Sequence, residues 1–321
     1  MRALFFLAGF ASLSGCSASV RRPVSTTDAA MLLEQVTHSG QNEFDPAISP
    51  DARAIAYEVA ASEDATPHVE VMALKDGENG SSGAIEYSSK DTIGLEPAWM
   101  PDGSGLIFVS RTMGSPIGLV QTIGQRPDRT AFLAAAGNPS LLAEWPAVSP
   151  DGKTMAMSLM NIDVFQTGWR TSRSFGHFGR ALGLSDLIGT GVTVLGDGTS
   201  PAWSPDGKRI AFSRTTHGHA HLFVADADGK NLQQITDGLG DDLAPSWSPH
   251  GRSLAFCSAH GRDHFTQANL FAVRADGSGL VQLTEGDRLV GRPTWAKDGF
   301  VYFHANVTDQ FHIWRIRVEI D

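Results

Sequence analysis

The sequence predicts an all-β fold, a six-bladed β-propeller closed by an N-terminal strand, and three observations carry that prediction. One hairpin motif recurs six times. Each of the first five copies is followed by two further strand-like segments. The last copy lacks its fourth segment, and a matching segment stands ahead of the first copy.

The clearest hairpin is SPAWSPDGKRIAFSR, from Ser200 to Arg214. EPAWMPDGSGLIFVS begins at Glu96, WPAVSPDGKTMAMSL at Trp145 and APSWSPHGRSLAFCS at Ala244; DPAISPDARAIAYEV from Asp45 and RPTWAKDGFVYFHAN from Arg292 are degenerate copies. Their leading prolines, Pro46, Pro97, Pro146, Pro201, Pro245 and Pro293, are spaced 44 to 55 residues apart, close to the period of propeller blades. Side chains alternate along a strand, so Pro-x-Trp places proline and tryptophan on one face. Trp99, Trp203, Trp247 and Trp295 take this place, with Ile48 and Val148 in the other two copies. Ser-Pro-Asp-Gly then supplies a preset φ at proline and a residue tolerant of φ > 0 for the turn. Ala52 stands where the other hairpins have glycine, which predicts local strain.

The third and fourth strands follow as strand, Asp-Gly turn, strand in HLFVADADGKNLQQIT (221–236) and NLFAVRADGSGLVQLT (269–284). GLVQTIGQRPDRTAFL (118–133) and RALGLSDLIGTGVTVL (180–195) are looser versions. The final unit ends after HIWRIRV (312–318), while LLEQVTH (32–38) resembles the fourth strands NLQQITD and LVQLTEG. Pairing of 32–37 with 312–318 is therefore expected, and such closure removes an exposed sheet edge.

Composition agrees. Thirty-four glycines and seven tryptophans in 321 residues favour short strands and turns over long helices. The formal charge of −10 argues against a nucleic-acid footprint. Residues 1–15 are a separate object: Arg2, an apolar run from Ala3, then Leu13-Ser14-Gly15 before Cys16. A positive residue followed by a short apolar core is an export signal. The ending Leu-Ser-Gly-Cys resembles the bacterial lipobox, which implies lipidation of Cys16. Residues 16–30 then read as a flexible tether, and residues 31–321 as the propeller. Cys257, the one other cysteine, has no partner and is expected to be a buried inert thiol.

The repeated Pro-x-Trp-Ser-Pro-Asp-Gly-Lys-x-Ile-Ala-Phe pattern, with its later Asp-Gly and Leu-Thr, resembles the β-propeller repeat of the bacterial TolB family over residues 31–321. The resemblance implies an exported propeller that engages envelope proteins, including a peptidoglycan-associated lipoprotein, through the mouth of its channel. TolB proteins carry an α/β domain ahead of the propeller, for which the stretch between Cys16 and the first strand is too short. With Ser17 after the lipidated cysteine, the expected place is the periplasmic face of an outer membrane. A monomer without nucleic-acid partners is expected. Similar repeats occur in oligogalacturonate lyases and ahead of serine peptidases, but no Gly-x-Ser-x-Gly elbow is present.

Sites are expected on the face that carries the loops after second and fourth strands, because function gathers on loops held by a scaffold. The residues before the prolines, Asp45, Glu96, Trp145, Ser200, Ala244 and Arg292, should ring the channel mouth, with Asp241 and Asp242 nearby. An acidic rim with one arginine suits a cation or a basic segment of a partner. The insert 160–178 carries Phe165, Trp169, Arg170, Arg173 and Phe175, residue types enriched at interfaces. His217, His219 and His221, then His260 and His264, then His304 and His312 stand in equivalent parts of the last three units. Imidazole is a common metal ligand, and oligogalacturonate lyases hold a metal with propeller histidines. The leading expectation is a non-catalytic envelope binding or scaffold propeller without a cofactor. The alternative is a metal-dependent polysaccharide-processing enzyme using these histidines.

Overall fold

The structure, a computed structural model, describes residues 33–60, 66–74, 85–86, 92–112, 118–122, 130–133, 141–161, 180–187, 191–259, 267–286, 288–308 and 310–319. Cys16, the signal and tether segments, the aromatic insert residues Phe165, Trp169, Arg170, Arg173 and Phe175, and His260 and His264 lie outside these described residues.

The described strands assort into six four-stranded antiparallel sheets. The first holds Asn42–Ile48, Ala54–Ala60, His68–Ala73 and Ile85–Glu86, and the second Thr92–Trp99, Leu106–Thr112, Gly118–Thr122 and Thr130–Leu133. The third holds Leu141–Val148, Thr154–Asn161, Arg180–Asp186 and Thr193–Asp197. The fourth holds Thr199–Trp203, Arg209–Thr216, His219–Asp226 and Gln233–Gln234. The fifth holds Asp242–Trp247, Ser253–Ser258, Asn269–Arg274 and Val281–Gln282. The sixth combines Val290–Trp295, Phe300–Ala305 and His312–Arg317 with Leu33–Gln35, which lies opposite Ile316, Arg315 and Trp314. The fold is an all-β propeller.

The core is divided among the seams between sheets. Ile107 and Val109 pack with Met155 and Leu159; Ala156 and Leu182 with Ile210 and Phe212; Ala211 and Leu222 with Leu254 and Phe256. Ala255 and Leu270 meet Trp295 and Phe303, and Ala56 meets Phe108. Ile55 and Tyr57 of the first sheet meet Phe300, Tyr302 and Ile313 of the sixth, with Val36 beside them. The first strands of the sheets also touch in sequence, and the first strand of the sixth sheet touches that of the first.

The repeated residues serve these seams. The indole N–H groups of Trp99, Trp203 and Trp247 donate to the carbonyls of Ala47, Ala147 and Ala202, one sheet back, at 2.9, 3.1 and 3.0 Å. Tryptophan is thus an apolar filler with one donor that finds its acceptor on the neighbour. In the turns, the hydroxyls of Ser49, Ser149 and Ser204 each donate at 2.6 Å to Asp51, Asp151 and Asp206. Those bonds, chiefly, hold the three exposed carboxyls below the usual aspartate range. Ala52 adopts φ 59°, in agreement with the strain expected at that position.

Candidate functional site: the channel mouth

The first strand of every sheet is interrupted at the residue before its proline. A register shift falls there in all six. Asp45, Glu96, Trp145, Ser200, Ala244 and Arg292 have φ of 48, 55, 59, 53, 54 and 42°. Proline has no N–H for the ladder, and a bulge turns the preceding side chain out of it. Six equivalent bulges therefore present six side chains from the same place in the six sheets.

Four of them meet. The Arg292 guanidinium lies 4.2 Å from the centroid of the Trp145 ring, and Nη1 is 3.4 Å from Asp45 Oδ2. Arg292 belongs to the sixth sheet and Trp145 to the third, so this side chain links two sheets that are not neighbours in the chain. Glu96 accepts the Trp145 backbone N–H. Glu58, from the second strand of the first sheet, accepts the N–H of Glu96 and faces Asp45, Glu96 and Arg292. Burial, reinforced by Asp45 and Glu96, pushes the Glu58 carboxyl up to about 8. Burial also raises Glu96 to about 7, against the pull of Arg292. Glu144 faces Glu96 and pairs with Arg180 at 3.3 Å.

A second pattern runs through the seams. The bulged N–H of one sheet is taken up by a second-strand side chain of the sheet before it. Ser158 Oγ accepts from Ser200, His304 Nδ1 from Asp45 at 3.1 Å, Cys257 from Arg292 and Glu58 from Glu96. Val109 occupies this place in the second sheet and cannot accept, so Glu96 serves Trp145 instead. The buried Cys257 thiol, pushed up to about 12 by burial, is the inert group expected from the sequence.

The histidines separate by role. His304 Nδ1 faces Asp45 Oδ1 at 3.5 Å, but it already accepts an amide proton and so cannot also donate. Burial lowers the pKa of His304 from its usual value, which agrees with a neutral acceptor. Its ring packs over Gly291, where an added Cβ would fall 1.8 Å from Nε2. His312 Nδ1 contacts the buried Glu43 Oε2 at 2.9 Å, Thr37 Oγ1 donates to the same carboxylate oxygen, and the Ile313 N–H donates to Thr37 Oγ1. This network fastens the segment after Leu33–Gln35 to the sixth and first sheets. Asp241 and Asp242 stand beside His219 and His221, with Nδ1–Oδ distances of 3.7 Å in both pairs. His217 is exposed in the turn before them, with φ 54°. Among the described residues no three histidine, cysteine or carboxylate side chains are grouped to hold a metal. Of the expected ligands, His217 is a turn residue and His219 and His221 stand in two histidine–aspartate pairs, while His260 and His264 lie outside the described residues.

Two features of this face escaped the sequence reading. Glu58 lies thirteen residues past Asp45, and only the seam pattern brings it to the mouth. Leu239, 72% exposed, is presented on the loop before Asp242 between Gly238 and Gly240, both of positive φ.

Comparisons with known proteins give the fold its relatives. The family model described as the TolB beta propeller domain matches residues 190–321. A protein assigned as TolB from Agrobacterium tumefaciens superposes with a TM-score of 0.63 at 17% identity, over 90% of this chain and 97% of that one. TolB from Acinetobacter baumannii gives 0.59 at 20% identity, over 81% of this chain and 59% of that one. An oligogalacturonate lyase from Vibrio parahaemolyticus gives 0.57 at 11% identity, over 93% and 96%. Residues 190–321 thus match the TolB beta propeller domain, and the solved structures show the same propeller fold over most of the chain.

Proposed function

We propose that this chain is a lipid-anchored, non-catalytic binding propeller of the cell envelope, which engages a basic segment of an envelope protein or peptidoglycan-associated partner at its channel mouth. The reading takes the six sheets as six blades of one ring, with Leu33–Gln35 as the closing strand. The pairing of that strand with His312–Arg317 and the seam from Ile55 to Phe300 support it. Lipidation at Cys16 rests on the lipobox-like sequence, and an envelope partner on the likeness to TolB proteins. The observation that carries the binding site is the convergence of Asp45, Glu58 and Glu96 around a single arginine. Asp45, Glu58 and Glu96 outnumber Arg292 there, so the group gains net negative charge as the glutamates ionise and then favours a basic partner.

Titration of the full chain with a short peptide of alternating glycine and arginine tests the site. Asp45→Asn together with Glu96→Gln is expected to weaken binding by tenfold or more, about 1.4 kcal/mol. An unchanged Kd would contradict the assignment. A polysaccharide-processing enzyme is the second reading, and the buried His221 Nδ1, which has no hydrogen-bond partner 3.7 Å from Asp242, is what favours it. Near-stoichiometric divalent metal in protein purified without chelators would bring that reading forward.

A further inference from the structure

The seams of the ring are not chemically equal. Where the third sheet meets the fourth, the fifth the sixth and the sixth the first, the bulged N–H is taken by a serine hydroxyl, a thiol and a neutral imidazole. Where the first sheet meets the second, and the second the third, the acceptor is a carboxyl group: Glu58 for Glu96, and Glu96 for Trp145. These two carboxyls form a relay, since Glu96 donates its N–H to one partner and accepts the next with its side chain.

The charges around the relay are unbalanced. Glu58 faces Asp45, Glu96 and Arg292, and Glu96 faces Asp45, Glu144 and Arg292. Arg292 is shared among all of them and is already held between Asp45 and Trp145, while Arg180 serves Glu144. His304, on the other side of Asp45, is a neutral acceptor and adds no positive charge. Two ionised glutamates here would therefore sit half-buried beside other carboxylates with one cation between them. A neutral carboxyl can still accept an amide proton through its carbonyl oxygen. An ionised one gains most by reaching water, which means leaving the seam.

We infer that Glu58 and Glu96 form a proton-operated latch on one side of the mouth: protonated, they hold the first three sheets together there, and ionised, they loosen those two seams while the other seams stay closed. The direction follows from linkage. A carboxyl that keeps its proton in the closed seam but would lose it in water favours the closed form at low pH. That advantage fades as pH rises from the ordinary glutamate range towards about 7 for Glu96 and about 8 for Glu58. The latch is a property of the free chain and stands whether or not the mouth binds a basic partner.

Amide hydrogen exchange of the full chain, read residue by residue between pH 6 and 8.5 and corrected for the intrinsic rate, tests it. Protection of the Glu96 and Trp145 amides is expected to fall at least tenfold over that range. Protection of Ser200 and Arg292, equivalent amides in seams without carboxyls, is expected to stay level. In Glu58→Gln with Glu96→Gln, whose amides mimic the protonated acids, all four should stay level. Four amides that move in step in the unsubstituted chain would overturn the inference, as would a fall that persists in the double variant. Should the double variant fail to fold, the comparison of amides within the unsubstituted chain decides alone.

Discussion

Glu43→Ala is expected to lower the stability of the fold by about 2–5 kcal/mol, since each buried group left without its hydrogen-bond partner costs about 1–3 kcal/mol. Glu43 is 1% exposed and holds two partners, the His312 ring and the Thr37 hydroxyl, which are themselves buried. Truncation leaves both without their acceptor and opens a space beside them. The site matters beyond its own contacts. Thr37 also accepts the Ile313 N–H and lies two residues past Leu33–Gln35, a strand of only three residues, so it helps to hold that strand in register. The Val36 N–H adds a backbone bond to the Ile313 carbonyl at 2.8 Å, while the Arg315–Glu34 pair, at 2.7 Å, is partly exposed and correspondingly weak. Denaturant unfolding of the variant and the unsubstituted chain measures the difference. A loss below about 1 kcal/mol, the scale of an ordinary hydrogen bond, would mean that the network is ornamental.

Gly291→Ala is expected to cost about 2–3 kcal/mol, from overpacking of the ring beneath it and loss of one buried hydrogen bond. The backbone of Gly291 requires no special φ; what it lacks is room, since the His304 ring lies where a Cβ would be. Pushing the imidazole aside takes Nδ1 from the Asp45 N–H, and Asp45 then loses its orientation towards Arg292. Weaker binding of the glycine–arginine peptide should accompany the loss of stability. Both are read from one preparation, by thermal unfolding and by titration. A variant as stable as the original, with unchanged binding, would show that the ring of His304 is free to move and does not position Asp45.

The sequence disclosed the architecture because the same physics is written repeatedly. Alternation shows which face of each strand is buried, and Pro-x-Trp marks where an indole reaches its neighbour. The mouth was legible in part for the same reason. Asp45, Glu96, Trp145 and Arg292 share one place in the repeat, so any contact among them had to lie on the ring axis. Glu58 was not found, although a signal existed: its column reads Glu58, Val109, Ser158, Ser213, Cys257, His304, four plainly polar places and a thiol in otherwise apolar strands. The meaning of that column depends on the neighbouring sheet, and a single unit does not reveal it. Asp241 and Asp242 stand beside His219 and His221 of the preceding hairpin, a pairing that closeness in sequence does not reveal. The three histidines of the 217–221 segment differ in company for a related reason. Alternate residues of an extended segment share a face, but His219 and His221 each face an aspartate, Asp241 and Asp242, while His217 is exposed in the turn.

Photo-crosslinking from the two faces of the ring tests the central claim, that this propeller binds through its mouth face. A photoreactive residue at 239, on the loop before the fifth sheet, is compared with one at 228, in the turn after a third strand and so on the opposite face, in the full chain within a native envelope. The account predicts a discrete protein adduct from position 239, lost when Asp45→Asn and Glu96→Gln are added, and none from 228. Adducts from 228 alone, or adducts from 239 indifferent to the loss of those carboxyls, would contradict it.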